Sequence, residues 1–273
     1  MPEGPEMYRV AQKIRAAVAD QPLTEVWFAF AELQQQAAAL QSAQLSDVST
    51  VGKALLLKFS NDLCVYTHNQ LYGRWLFCRP DRRPDTRRQL RLALSTAKRS
   101  ALLYSASTIE IVHAEDLSQH PFIRRAGLDI LSSTADVKQI AAWLRQPQFA
   151  RRRLGHLLLD QGLLAGVGNY LRSEILFVAG LHPAARLGDL DDAAVNRLAG
   201  AVHSLFWRSV KTGGITNAAD RVQQLKQAGW RRRDYRHFVF GREDQACFVC
   251  DGPISKITVS GRRMYHCLQC QPG

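Results

Sequence analysis

Met1-Pro2-Glu3-Gly4-Pro5-Glu6 opens the chain. A small second residue permits removal of the initiator Met, and here removal leaves Pro2 as a free secondary amine. A secondary amine adds to a sugar aldehyde carbon and gives an iminium cation directly, which is a strong electron sink. Glu3 and Glu6 place two carboxyls beside it. Taken alone, the same six residues also describe an ordinary frayed terminus carrying a proline. The adjoining segment argues against fraying. Met7, Val10, Ala11, Ile14, Ala17 and Val18 recur at helical spacing over 5–18. Pro5 suits the first turn, where a missing N–H costs nothing. Such a helix fixes the terminus against a core.

Beyond the helix, 24–113 reads as a succession of strands, with candidates at 24–30, 54–59, 63–67, 74–77, 90–95, 101–105 and 108–112. They are short, apolar and broken by turn signals such as Asn61-Asp62. Many short strands in succession suggest a sandwich or barrel. From about 134 the period becomes helical, with segments at 135–145, 151–164, 169–179 and 191–210. Residues 212–229, with Gly213-Gly214, read as a loop or short helix. The tail from 238 reads as a separate small unit. The class expected is α+β, and the segments divide at 1–125, 126–237 and 238–272.

The chain has 273 residues, 46% apolar and 22% charged, as ordinary soluble domains do. Its charge is less ordinary: 36 Lys and Arg against 24 Asp and Glu, a formal +12. That excess favours a polyanionic partner, because cationic side chains release the counterions condensed on nucleic acid. An anionic membrane surface would call for a basic amphipathic helix with exposed aromatics, and none stands out. No apolar run of about 18 residues signals a membrane span, and no basic segment leads into a hydrophobic run at the N-terminus. The expected compartment is cytoplasmic and the expected state monomeric.

Cys247-Phe248-Val249-Cys250 and Cys267-Leu268-Gln269-Cys270 are two C-x-x-C knuckles with sixteen residues between them. Each places two thiolates on one tetrahedral ion, and the intervening segment is long enough for a β-hairpin turning at Val259-Ser260-Gly261. Four thiolates leave no position for a catalytic water, so the expected ion is one structural Zn2+ that folds the hairpin. Two disulfides are the alternative and fit a cytoplasmic chain poorly. Arg262 and Arg263 sit just past the turn, on a projecting tip. Cys64 and Cys78 lie in apolar stretches and read as buried thiols.

Gly166-Val167-Gly168-Asn169 lies between two helical segments. Its glycines let a backbone approach a phosphate, Asn169 is placed to cap the next helix, and a helix N-terminus binds anions. Most such turns only join helices. Arg151-Arg152-Arg153 at a helix start opposes the helix dipole, which suggests an external anion. Lys53 follows Gly52 before a strand and matters only if the fold brings it to Pro2. Gln70-Leu71-Tyr72 is either a hairpin tip with partly buried side chains or a wedge that enters a base stack. Arg82, Arg83, Arg87 and Arg88 read as a solvated basic loop.

Taken in order, Pro2-Glu3-Gly4-Pro5-Glu6, Gly52-Lys53, the 166–169 turn and the four-cysteine tail resemble the formamidopyrimidine/endonuclease VIII family of DNA glycosylases. Asn69-Gln70-Leu71-Tyr72-Gly73, Tyr104-Ser105-Ala106-Ser107 and His120-Pro121-Phe122 bring the endonuclease VIII branch nearest. The resemblance implies an N-terminal β-sandwich with an N-terminal helix, a helical domain with a helix–two-turns–helix, and a four-cysteine zinc-finger β-hairpin. It implies a bifunctional enzyme that removes oxidised pyrimidines from double-stranded DNA and cleaves abasic sites by β,δ-elimination. Pro2 and Glu3 match the family's nucleophile and general acid/base, and Lys53 and Arg262 its groups for β- and δ-elimination. Because an Arg stays charged, Arg262 is expected mainly to clamp a phosphate. Glu6 is expected to support the terminus. Gln70, Leu71, Tyr72, Arg125 and Asn169 match DNA contacts, and Cys247, Cys250, Cys267 and Cys270 the metal ligands. Arg263 and Arg124 depart from the pattern by adding charge, and 211–237 fits it least. An oxidised-purine glycosylase of the same fold and a non-catalytic zinc-finger DNA-binding protein are the competing readings.

Overall fold

The computed structural model describes residues 2–131 and 135–273; Met1, whose removal the sequence reading requires, lies outside them. The chain forms two compact units, Pro2 with Glu6–Arg125, and Glu3–Pro5 with Ala126–Gly273.

The first unit runs α1 (Gly4–Val18), β1 (Glu25–Phe28), α2 (Ala31–Gln34), α3 (Ala37–Gln41), β2 (Leu45–Val51), β3 (Ala54–Phe59), β4 (Leu63–His68), β5 (Arg74–Cys78), β6 (Leu90–Ser95), β7 (Ser100–Tyr104), β8 (Thr108–His113) and α4 (Pro121–Arg125). Its strands make two four-stranded antiparallel sheets, ordered β1-β6-β7-β5 and β2-β3-β4-β8. One core joins them. Phe28, Leu92, Leu94 and Leu103 come from one sheet and Leu55, Leu57 and Val65 from the other, and Met7, Ile14 and Val18 of α1 pack into the same cluster. The expected sandwich and helix are therefore present, and the spacing 7, 11, 14, 18 is the buried stripe of α1. The outer face of β3 and β4 is covered by Leu117, Phe122 and Ile123.

The strand β2 has no counterpart among the expected strands. Its sequence, Leu-Ser-Asp-Val-Ser-Thr-Val, buries only Leu45 and Val48, because it lies at a sheet edge. It matters for the site. Val51 pairs with Ala54, so Gly52-Lys53 is a two-residue hairpin connection, with Gly52 at φ 56 in its first central position.

The second unit contains β9 (Leu128–Asp129), α5 (Val137–Leu144), α6 (Leu154–Leu157), β10 (Leu164–Ala165), α7 (Asn169–Ala179), α8 (Asp192–Thr212), α9 (Ala219–Gln227), α10 (Arg232–Tyr235), β11 (Ile254–Val259) and β12 (Arg262–Cys267). α7 is buried on almost every face and forms its centre. α8 starts where expected: the Asp191 carboxylate accepts from Ala194 N at 2.7 Å.

One expectation for this unit is corrected. The helix expected over 151–164 stops after four residues. The Asp160 carbonyl accepts from Leu163 N at 3.0 Å and its carboxylate from Gly162 N at 2.8 Å, closing a turn instead. A second turn through 166–168 leads into α7, which gives the helix–two-turns–helix. Of the two readings of 212–229, the short helix holds: α9 forms there, and α10 follows it.

The terminal hairpin pairs Val259 with Arg262 and Ile254 with Cys267. Ser260 and Gly261 turn it at φ 54 and 68, the left-handed pair that a two-residue hairpin needs. β12 rests on α7, with Tyr265 N donating to Ser173 Oγ at 3.2 Å. Among the described residues no helix is long and apolar enough to cross a membrane.

Candidate active site

Glu3 is 3% exposed, yet it carries a carboxylate. Burial of that charge is tolerable only with strong donors. They are three backbone groups at the start of α7: Gly168 N and Tyr170 N at 2.8 Å and Leu171 N at 3.2 Å. These belong to the N–H groups that no helical carbonyl satisfies, and the positive end of the helix dipole adds to them. Glu3 therefore does what was expected of Asn169: the N-terminus of α7 has no side-chain cap of its own, and Gly168 stands at its N-cap.

The glycines of the turn make this approach feasible. A Cβ on Gly168 would lie 2.4 Å from Glu3 Cδ. Gly166, at φ 94, faces Gly4 so closely that a Cβ would lie 3.1 Å from Gly4 Cα, and Gly4 N donates to Gly166 O at 2.9 Å. Gln161 braces the same turn, accepting from Gly166 N at 3.1 Å and donating to Val167 O at 3.0 Å.

Asn169 faces a different task. Its Oδ1 accepts from Arg172 Nη2 at 2.8 Å, which leaves its amide NH2 as an available donor. Arg172 is wholly buried. Its guanidinium also donates to Gly155 O at 2.8 Å, Arg263 O at 3.3 Å and Val259 O at 3.5 Å. It thus ties α6, α7 and both strands of the terminal hairpin at the tip that bears Arg262. Burial, with the neighbouring charge of Arg262, lowers its pKa to about 10 against the pull of Glu3, so it stays charged at neutral pH. Sequence reading misses Arg172, because an arginine on a helix reads as a surface group. His156 adds a second tie, from Nδ1 to Ser260 Oγ at 2.6 Å. Arg262 itself is exposed on the tip.

In the first unit, Pro2, Met7, Lys53, His68, Asn69 and Gln70 line one small pocket. Lys53, relevant in the sequence only if it reached Pro2, does reach that pocket, where it is 8% exposed. His68 is a further site residue that the sequence does not single out. Its Nδ1 accepts from Gln70 N at 3.2 Å, and burial together with the Lys53 charge holds its pKa below the ordinary imidazole value. It is neutral at pH 7, with its remaining proton on Nε2. Glu6 stands in the first turn of α1.

The 69–73 turn is held from both sides. Gly73 N donates to Asn69 O at 2.8 Å. Gln70, at φ 48, donates to Thr108 Oγ1 and accepts from Ser107 Oγ, each at 2.8 Å. Leu71 and Tyr72 then project, 61% and 70% exposed, so of the two readings of this turn the tip with partly buried side chains does not hold. Two large apolar side chains held in water by a braced turn fit the wedge alternative. Arg125 is exposed at the end of α4, with Nε on Pro121 O at 3.0 Å.

The thiols of Cys247, Cys250, Cys267 and Cys270 all lie within 4.8 Å of one another, the metal-competent cluster among the described residues. Cys250 and Cys267 Sγ are 3.4 Å apart, and Cys247 and Cys270 Sγ 3.8 Å. A tetrahedron with bonds of about 2.3 Å has sulfur–sulfur edges of about 3.8 Å, so the four thiols fit one zinc-sized ion.

Comparison with known proteins bears on the family and the fold. Residues 1–107 match the formamidopyrimidine-DNA glycosylase N-terminal domain, and 126–220 the formamidopyrimidine-DNA glycosylase H2TH domain. A protein named Endonuclease 8 from Salmonella paratyphi B is 43% identical over 271 residues, covering 99% of this chain and 100% of its own. Its namesake from Salmonella enteritidis PT4 is 42% identical over the same shares. Among solved structures, the Lactococcus lactis formamidopyrimidine DNA glycosylase bound to DNA containing an abasic site superposes with a TM-score of 0.79 at 20% identity, covering 99% of this chain and 100% of that one. The same protein with DNA containing an oxidised pyrimidine gives 0.80 at 21%, covering both chains in full. At such identity these structures speak for the fold.

Proposed function

The chain belongs to the formamidopyrimidine-DNA glycosylase family, and on that premise we propose that it excises oxidised pyrimidines from duplex DNA and cuts the strand at the resulting site with Pro2 as nucleophile. As a family member it is a DNA glycosylase and abasic-site lyase. The observation that carries the mechanism is the Glu3 carboxylate, next in the chain to Pro2 and held by three backbone N–H groups.

Removal of Met1 turns the Pro2 nitrogen from an amide into an amine. An α-amino group titrates near pH 8, well below a Lys, so a useful fraction is neutral at physiological pH. The neutral amine attacks C1′ of the extruded nucleotide and the base leaves. Glu3 moves protons at the sugar as the ring opens. The C1′ iminium then acidifies the C2′ protons, and β-elimination followed by δ-elimination releases the two phosphates.

Lys53 lines the same pocket as Pro2, which supports a role at the phosphate and as proton donor in β-elimination. Arg262 clamps a phosphate flanking the lesion and assists δ-elimination. Glu6 supports the terminus. Gln70, Leu71 and Tyr72 fill the gap left by the extruded base, with Leu71 and Tyr72 already exposed for it. The Asn169 amide and Arg125 contact the DNA backbone. Zinc on the four thiolates would hold the knuckles and their hairpin, and takes no part in the chemistry.

Duplexes carrying thymine glycol, 8-oxoguanine or a pre-formed abasic site test the reading together. The expected result is excision of thymine glycol ahead of 8-oxoguanine, with cleavage of the abasic duplex. Preference for 8-oxoguanine would favour the oxidised-purine reading, and binding without cleavage the non-catalytic one.

A further inference from the structure

We infer that the loop between β5 and β6 is a second phosphate-binding arm that extends the DNA contact outward from the wedge turn. The inference rests on the reading of this chain as an enzyme of duplex DNA.

Residues 79–89 carry five arginines against two aspartates, a formal +3, and Arg91 follows at the start of β6. Such a run is ordinarily a solvated face, and three observations set this one apart. The first is attachment. Arg88 Nη1 donates to Tyr72 O at 2.6 Å, so the loop is bonded to the turn whose Leu71 and Tyr72 project into solvent. A duplex that receives the wedge brings its phosphates past this loop.

The second is the division of partners. Arg83 is held by Glu25 at 2.6 and 2.8 Å. Arg91 lies over the Phe30 ring at 5.2 Å and donates to Gln89. Arg88 holds Tyr72. Arg79, Arg82 and Arg87 have no ion pair among the described residues, and all three are exposed. The carboxylate of Glu25 thus serves an arginine that holds the loop, and the remaining three face outward.

The third is shape. Arg82 N donates to Arg79 O at 3.1 Å, closing a turn between two of the outward arginines, and Pro80 and Pro84 stiffen it. Ordering the arm on DNA therefore costs less entropy than ordering a free chain would. Arginine is also the side chain that grips phosphate through a fork of donors.

The test is the salt dependence of binding to an undamaged duplex by the full-length protein. Each phosphate contact contributes about 0.9 to the slope of log affinity against log salt. Combined Arg79→Gln, Arg82→Gln and Arg87→Gln is expected to reduce that slope by about 2 to 3, and the matching triple Lys substitution to retain it. An unchanged slope in the Gln variant would show the arginines to be merely solvated and overturn the inference. Equal loss in the Lys variant would trace the effect to loop shape and overturn it too. Cleavage of an abasic duplex by the wild-type protein is scored separately, so a failed arm and a failed enzymatic reading are told apart.

Discussion

Glu3 Oε2 accepts from Gly168 N at 2.8 Å in a space that a single methyl group would fill. A Cβ at position 168 would stand 2.4 Å from Glu3 Cδ and 2.5 Å from its Oε1. The backbone there, at φ −129, is open to any L-residue, so the requirement for glycine is steric. Gly168→Ala is therefore expected to displace the carboxylate while leaving the fold intact. Misplacement of about 1 Å costs on the order of 10²-fold in rate. Single-turnover base excision measures it; a wild-type rate would show that the position of Glu3 is not critical.

Arg172 makes a second prediction. Its fork serves Asn169 and three carbonyls, including two on the finger hairpin. Arg172→Lys keeps the charge and loses the fork, leaving buried acceptors without partners at a cost of about 1–3 kcal/mol. Urea unfolding should show that loss. KM for a lesion duplex should rise more than kcat falls, because hairpin placement is what suffers. Wild-type stability and KM together would remove Arg172 from the account.

Legibility in the sequence tracks the range of the interactions. Met7, Ala11, Ile14 and Val18 are a local periodicity, and two C-x-x-C knuckles are a local spacing, so both are readable. The capping of α7 by Glu3 is not, because it spans more than 160 residues and only folding brings Gly4 against Gly166. Asn169 is the local candidate for that cap, and a better, distant acceptor takes the place. β2 escapes because an edge strand with two buried side chains has almost no apolar signature. The 151–164 segment has helical periodicity, but Asp160 and Gly162 stop it with a side-chain-closed turn. Arg172 and His68 carry no local sign of burial at all.

His237 gives the pH prediction. It is 4% exposed, stacks on Tyr170 at 5.0 Å and meets Thr216 Oγ1 at 3.0 Å. Burial, reinforced by Arg236 and Arg232, holds its pKa well below the ordinary value, although Glu174 lies 4.0 Å away. Desolvation outweighs that carboxylate, which itself serves Thr216 and the backbone N–H groups of Phe238, Val239 and Phe240. The native state thus keeps the imidazole neutral while the unfolded chain takes up a proton near pH 6.5. Stability from this group is present above that pH and falls below it, by about 1 kcal/mol between pH 7 and 5.5. His237→Gln should flatten the fall in chemical unfolding curves; an unchanged pH slope would contradict it.

The finger makes a prediction about metal. Four thiols within 4.8 Å should bind one equivalent of zinc per chain. Strong chelation, or Cys250→Ser, should lower the melting temperature and weaken duplex binding, with restoration on adding zinc to the chelated protein. Metal analysis with calorimetry decides it. A metal-free protein of undiminished stability would rule out a structural ion.

The central claim is that Pro2, freed of Met1, is the nucleophile. Borohydride reduction during reaction with an abasic duplex, followed by proteolysis and mass spectrometry of the adduct, tests it most directly. The account predicts a covalent adduct on the N-terminal peptide at Pro2, with none on chains that retain Met1. An adduct on Lys53, or no adduct with fully processed protein, would contradict it.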